Sequence, residues 1–351
     1  MTTQQTMLCA ILYGKEDVRI ERVPVPAVGP GEVRIKIGAA LTCGTDVKVF
    51  RRGYHAKMLR PPTAFGHELA GTIDAVGPEV EGWREGQRVV AANSAPCGAC
   101  FYCSRGRPEL CEDLLFMNGA YAEYITVPAR IVQQNLLRIP DDLPFEEAAM
   151  TEPLACVAYG LHDTPVQAGE TAVVLGLGPI GQMFVRLCHL VGARVIAAGR
   201  RPARLDLAAR LGADEVLDEQ KHPDLADALR NQTEGGRGAD VVIECVGRPE
   251  SWETAIAVAR KAGRISLFSA CPADTAIQVD THRIHYDEIT LKGTFHHTPA
   301  TVRQALDHIA SRRVPAAEFI QRRAPVSQLP QILAELAAGG GPVKTAIQPG
   351  E

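Results

Sequence analysis

The run Thr171-Ala-Val-Val-Leu175 leads directly into Gly176, Leu177, Gly178, Pro179, Ile180 and Gly181, and this junction restricts the fold more than any other part of the chain. A short, wholly apolar run reads as a strand buried on both faces, which is the habit of parallel sheets. A Gly-x-Gly-x-x-Gly turn between such a strand and a helix permits a tight turn and a close backbone approach to a pyrophosphate. It also lets strand and helix pack closely. The helix N-terminus that follows favours an anion. A glycine-rich βα loop that binds nothing has the same sequence pattern.

The rhythm continues after the turn. A helix is expected from about Gln182 to Val191, a strand over Ala193–Ala198, a helix over about Arg201–Leu211 and a strand over Asp214–Leu217. Strands over Ala239–Glu244 and Gly263–Phe268 enclose a helix of about Ser251–Ala259. A strand over Ile289–Phe295 then precedes a helix over about Ala300–Ala310. Alternating strand and helix predict a doubly wound parallel sheet with helices on both faces. Earlier, from about Leu8 to Pro140, short alternating runs such as Glu32–Ile37, Ala70–Val76 and Gln87–Ala91 are broken by Gly and Pro and predict a β-rich barrel or sandwich. The 351 residues suit about two domains. The expected division is 1–154, 155–294, and a return to the first domain over 295–351.

Where a dinucleotide-binding chain that prefers NAD carries an acidic residue for the ribose, this one reads Gly199, Arg200, Arg201 and, after Pro202 and Ala203, Arg204. Guanidinium is a natural partner of phosphate, so the run favours NADP(H) over NAD(H), against the alternative of a solvated basic helix start.

Four of the ten cysteines, Cys97, Cys100, Cys103 and Cys111, are separated by two, two and seven residues. Four thiolates make a closed tetrahedral shell, the structural kind of zinc site. Arg105 and Arg107 are offset by Glu109, Glu112 and Asp113, so the lobe offers no basic stripe for nucleic acid and reads as a zinc staple. Cys43, His67 and Glu152 form a second possible set, which would leave a fourth zinc position open for water or substrate. Asp46 either orients that set or closes a turn. The formal net charge of −4 argues against nucleic acid, and no apolar run reaches the length of a membrane span. Met1–Met7 has neither the basic start nor the apolar core of a signal peptide, and clustered cysteines suit a reducing compartment, so a cytoplasmic location is expected.

Taken together, Gly66-His67-Glu68-Leu69-Ala70-Gly71 with Val76-Gly77, the four-cysteine lobe and the Gly176–Gly181 turn resemble the zinc-dependent medium-chain alcohol dehydrogenases over essentially the whole chain. Glu152-Pro153 makes the resemblance greatest to the sorbitol and iditol (polyol) branch. The resemblance implies a GroES-like catalytic domain and a Rossmann domain with the active site between them. It implies one catalytic and one structural Zn2+, with Glu68 beside the catalytic metal as alternate or water-bridged ligand and Thr45 passing on the substrate proton. It places Ile180, Arg204, Phe268, Ser269, Ala270, Phe295 and His296 against the cofactor. Gly199 stands where polyol relatives carry an acid, and His296, followed by His297, replaces their pocket arginine. That pair reads as substrate or cofactor contacts, as a third metal site, or as structural. The expected activity is hydride transfer between NADP(H) and a polyol or related secondary alcohol. The alternatives are an NADPH-dependent reductase of a keto sugar, keto-cyclitol or amino-ketone, and a non-enzymatic protein that retains the scaffold. A homodimer or homotetramer is expected.

Overall fold

A computed structural model describes residues 5–55 and 57–350; the first four residues of the N-terminal segment read above lie outside that range. The chain packs as two units, one of residues up to 155 together with those from 297 onward, the other of Cys156–His296.

The second unit is built on six parallel strands in the order Glu215–Asp218, Arg194–Gly199, Thr171–Leu175, Ala239–Glu244, Ala259–Leu267, Thr290–Gly293. Numbered along the chain this is 3-2-1-4-5-6, the dinucleotide-binding order, in which ligands bind beyond the carboxyl ends of the strands. The middle residues of the core strands are apolar because helices cover both faces. Val173, Ile196, Val242 and Ile265 are fully buried in one continuous cluster. The apolar run at 171–175 forms the central strand with the expected bounds. The strand expected to begin at Gly263 begins at Ala259 instead, where the helix Pro249–Val258 passes directly into it.

The first and last glycines of the turn after the central strand, Gly176 and Gly181, have no room for a side chain, whereas Gly178 lies in open space. A Cβ at Gly181 would lie 1.9 Å from the Gly176 carbonyl oxygen, so helix Pro179–Val191 packs this closely only with glycine there. That helix presents Met183, Phe184, Val185 and Leu187 to the core.

The first unit is organised around a seven-stranded sheet, in which Glu68–Val76 pairs antiparallel with Val33–Leu41, and Val33–Leu41 in turn with Lys344–Gln348. The C-terminal strand therefore lies within the N-terminal sheet and is paired on its far edge with Ile320–Pro325. A second sheet joins Thr6–Gly14 to Asp17–Pro24 and Thr63–Ala64. This unit also carries helices Gly44–Arg52, Ala129–Asn135, Phe145–Ala148, Pro299–Ala310 and Leu329–Ala337, and the first turn of Thr151–Asp163. Among the described residues no helix is long and apolar enough to cross a membrane.

Gly181→Ala is expected to open the helix–strand contact, costing about 1–3 kcal/mol in urea unfolding and abolishing measurable coenzyme binding by fluorescence titration. Unchanged stability together with unchanged binding would show that the turn has more room than its backbone contacts indicate.

Candidate active site and zinc lobe

Cys43 is placed by a helix start. It caps helix Gly44–Arg52, with its Sγ accepting from the Thr45 N–H at 3.4 Å, while the Asp46 carboxylate accepts from the Cys43 N–H at 3.2 Å. This reciprocal cap satisfies donors that a helix end would otherwise leave bare. Thr45, half-buried, follows in the first turn. Asp46 is thus both a cap and a clamp, because its other oxygen lies 3.1 Å from His67 Nδ1. Holding Nδ1 directs the remaining ring nitrogen to a ligand, as the carboxylate partners of metal-binding histidines do. The Tyr121 hydroxyl sits between Asp46 and the Leu41 carbonyl and fixes the clamp from behind. Burial alone would depress the His67 imidazolium, but the charges of Asp46 and Cys43 outweigh it and hold its pKa well above the usual histidine value.

His67 reaches this position through Gly66, whose φ of 91° and close fit against the Tyr121 ring exclude a side chain. Glu68 opens the next strand opposite Leu41 and is fully buried. Donor atoms of Cys43, His67 and Glu68 lie within 4.8 Å of one another, a soft and hard donor mix that fits zinc. Glu68, however, already has a partner. The Lys344 ammonium, 1% exposed, donates to both of its carboxylate oxygens. Burial would discharge Lys344, yet Glu68 holds it protonated above the usual lysine range. Sequence reading passed over Lys344. The signal was a lone lysine in the apolar end Pro342-Val-Lys-Thr-Ala-Ile347.

Glu152, in the first turn of helix Thr151–Asp163, is grouped with His297 instead, its Oε1 4.0 Å from His297 Nε2. Burial raises its carboxyl to about 7, against the pull of His67. The same His297 nitrogen lies 3.2 Å from Asn93 Oδ1. Burial, with His67 nearby, pushes His297 down to about 3, so it stays neutral. Asn93 was another partner that sequence reading did not single out.

The four lobe cysteines converge with donor atoms within 4.8 Å of one another. Two short 3-10 turns, Cys103–Arg105 and Pro108–Leu110, fold the loop back so that the Cys97 N–H meets Cys111 Sγ at 3.2 Å. Backbone N–H groups of Cys103 and Glu112 draw Cys100 down to about 6, while burial and the Cys100 thiol push Cys103 up to about 12. A divalent metal would replace the protons that this uneven set retains.

In the nucleotide unit, the residues expected at the cofactor follow the carboxyl ends of separate strands: Gly176–Gly181, Arg200 with Arg201 and Arg204, Phe268–Ala270, and Phe295 with His296. Phe268 stacks edge-on against Phe184 at 5.0 Å, and the Ser269 carbonyl accepts from Trp252 Nε1 at 3.1 Å. Phe295 stacks on His296, whose φ of 65° is left-handed. The three arginines differ. Arg200 is engaged by Glu219 at 2.5 Å. Arg204 is drawn down to about 10 by burial and by the adjacent Arg201 charge, and its carbonyl is fixed by Gln182 at 2.7 Å.

Residues 29–141 match the alcohol dehydrogenase GroES-like domain, and residues 179–311 match the zinc-binding dehydrogenase family. A sorbitol dehydrogenase from Bacillus subtilis is 31% identical over 317 residues, covering 88% of each chain. This chain belongs to the zinc-dependent medium-chain alcohol dehydrogenase family. An L-threonine 3-dehydrogenase from Chelativorans is 35% identical over 82% of this dehydrogenase and 84% of its own length. A zinc-binding dehydrogenase from Sinorhizobium meliloti, solved with NADP bound, superposes with a TM-score of 0.90 at 29% identity, over 98% of this chain and 100% of its own. The dehydrogenase is accordingly an oxidoreductase that acts on a small-molecule CH–OH group.

Lys344→Met would leave Glu68 buried without a counter-charge, so urea unfolding should show a loss of about 3–5 kcal/mol. Pairing it with Glu68→Leu should restore most of that loss. A single Lys344→Met variant as stable as the parent would contradict the assignment of Lys344 as the carboxylate's partner.

Proposed function

We propose that this dehydrogenase oxidises a polyol or related secondary alcohol, with NADP(H) as its preferred coenzyme. The observation that carries the reading is the Cys43–His67 pair braced by Asp46 beside the buried Glu68. Cys43 and His67 would hold the catalytic zinc together with Glu152, whose carboxylate stands beside His297 here, and with Glu68, already within 4.8 Å of both donors, as the reserve ligand. Bound zinc would supply Lewis acidity toward an alcohol oxygen, and the nicotinamide would accept hydride. The chain's own residues do the rest. Asp46 fixes the His67 ring, and Thr45 would pass the hydroxyl proton toward solvent. His297 stays neutral and offers a hydrogen bond rather than a charge. Glu68 and Lys344 cancel each other's charge, which keeps the net charge of the pocket steady.

Sorbitol and L-threonine, the substrates named for two relatives, share a secondary alcohol next to a carbon that bears a polar group, and this supports that class. The NADP preference rests on Arg201 and Arg204 together with the missing carboxylate at Gly199, and the NADP-bound neighbour supports it. An NADPH preference also favours the reductive direction on a ketone. The cysteine lobe would carry the structural zinc. We further propose a cytoplasmic homodimer or homotetramer.

Three measurements test this reading. Metal analysis should find two zinc ions per chain, Cys100→Ser should lose one of them, and Cys43→Ser should lose the other together with turnover. Cys43→Ser that keeps full turnover and full metal would end the catalytic assignment. In steady-state kinetics across polyols, cyclitols and amino alcohols, Arg204→Gln should raise KM for NADP(H) about tenfold or more with little effect on NAD(H), because a charge-assisted phosphate contact is lost. Equal changes for both coenzymes would remove the preference.

A further inference from the structure

A cavity of about 740 Å³ opens in the nucleotide unit among Thr171, Asp240 and Ala259, residues at the amino ends of three neighbouring strands. The glycine turn follows the carboxyl end of the same central strand. At about 3.3 Å per residue, the strand Thr171–Leu175 sets the two places about 15 Å apart. The volume falls within the range of sites for small metabolites.

The lining is charged and unbalanced. Arg230, Arg237, Arg260, Lys261 and Arg283 face the three carboxylates of Glu234, Asp240 and Asp287. Those carboxylates are already in use. Asp240 takes Arg260 at 2.6 Å and the Thr171 N–H at 2.7 Å. Asp287 takes Lys261 at 3.2 Å and, more distantly, Arg283 at 3.7 Å. Glu234 is almost fully exposed and meets Arg237 only at 3.6 Å. Arg230, half-buried, has no carboxylate partner among the described residues and donates only to the Ala257 carbonyl at 3.3 Å. Arg283 donates to the same carbonyl at 3.2 Å and to Ala259 O at 2.7 Å. Two guanidiniums thus converge on one neutral oxygen. Capping the end of helix Pro249–Val258 accounts for the carbonyl contacts but leaves most of the five N–H donors on each guanidinium unused. Burial and the neighbouring Arg230 charge together depress Arg283 below the usual arginine range, a repulsion that a bound anion would relieve.

We infer that this cavity is a second anion site, which binds a small phosphorylated metabolite between Arg230 and Arg283, separate from the coenzyme. The site takes part in no bond-making step. Planar guanidiniums suit phosphate oxygens, and the surplus of two cations matches a phosphate dianion.

The test is a 31P NMR titration of inorganic phosphate into the zinc-loaded protein and its variants at low ionic strength. Saturable binding is expected in the parent. Arg230→Gln should weaken it about tenfold or more, and Arg237→Gln, at an exposed position that the fold does not need, should weaken it several-fold. Arg204→Gln, which marks the coenzyme turn, should leave in place the binding that Arg230→Gln weakens. Near-UV circular dichroism checks that each variant keeps its native packing. No saturable binding in the parent, parental affinity in natively packed Arg230→Gln, or loss of binding in Arg204→Gln would each overturn the inference.

Discussion

Everything at the candidate active site depends on buried carboxylates that have found enough donors. Asp46 is almost fully buried, and an isolated carboxylate there would cost several kcal/mol. It is tolerated because the Cys43 N–H, the His67 ring and the Tyr121 hydroxyl all converge on it. Glu68 is tolerated because Lys344 reaches it from the far end of the chain. These two sets of contacts bring together residues 43–46, 67–68, 121 and 344. The ligand positions are therefore set by the apoprotein's own charges, and a metal would meet donors whose orientation is largely decided.

The nucleotide unit was largely legible in the sequence. The middles of the buried parallel strands are apolar runs bounded by polar residues and turns, and the expected and observed bounds at 171–175 and 239–244 coincide. At Ala259 no glycine or proline separates helix from strand, and the boundary was misplaced there. Helices Thr151–Asp163 and Leu329–Ala337 were not anticipated, because proline near the start of each reads as a break when it is in fact tolerated in the first turn. At the site, the donors were legible because cysteine and histidine in such settings are unusual. Their partners were not, since Lys344 and Glu68 are 276 residues apart and a contact at that distance leaves no local pattern. Asp46 was the exception: three residues from Cys43 in the chain, it was read as orienting that set or closing a turn, although the helix it caps was not expected.

The basic run after the second strand shows why composition alone misleads. Three arginines look equivalent in sequence, yet the fold gives one of them to Glu219 and partly buries another beside its neighbour. Electrostatic attraction for a phosphate is weakest at a cation already neutralised by a carboxylate, and here that is Arg200, held by Glu219. The same reasoning distinguishes Arg230 from the paired cations around it.

The uneven ionisation of the cysteine lobe has a consequence for how the protein ages. Among its four sulfurs, backbone N–H groups favour the thiolate at Cys100, while burial disfavours it at Cys103. Thiolates, not thiols, react with peroxides. When the lobe is empty, Cys100 is the sulfur that peroxide attacks first, and the resulting sulfenic acid has Cys111 Sγ 3.9 Å away to condense with. Such a bridge would remove two of the four donors at once, so a brief exposure to oxidant during metal exchange would disable the lobe until a reductant restored it.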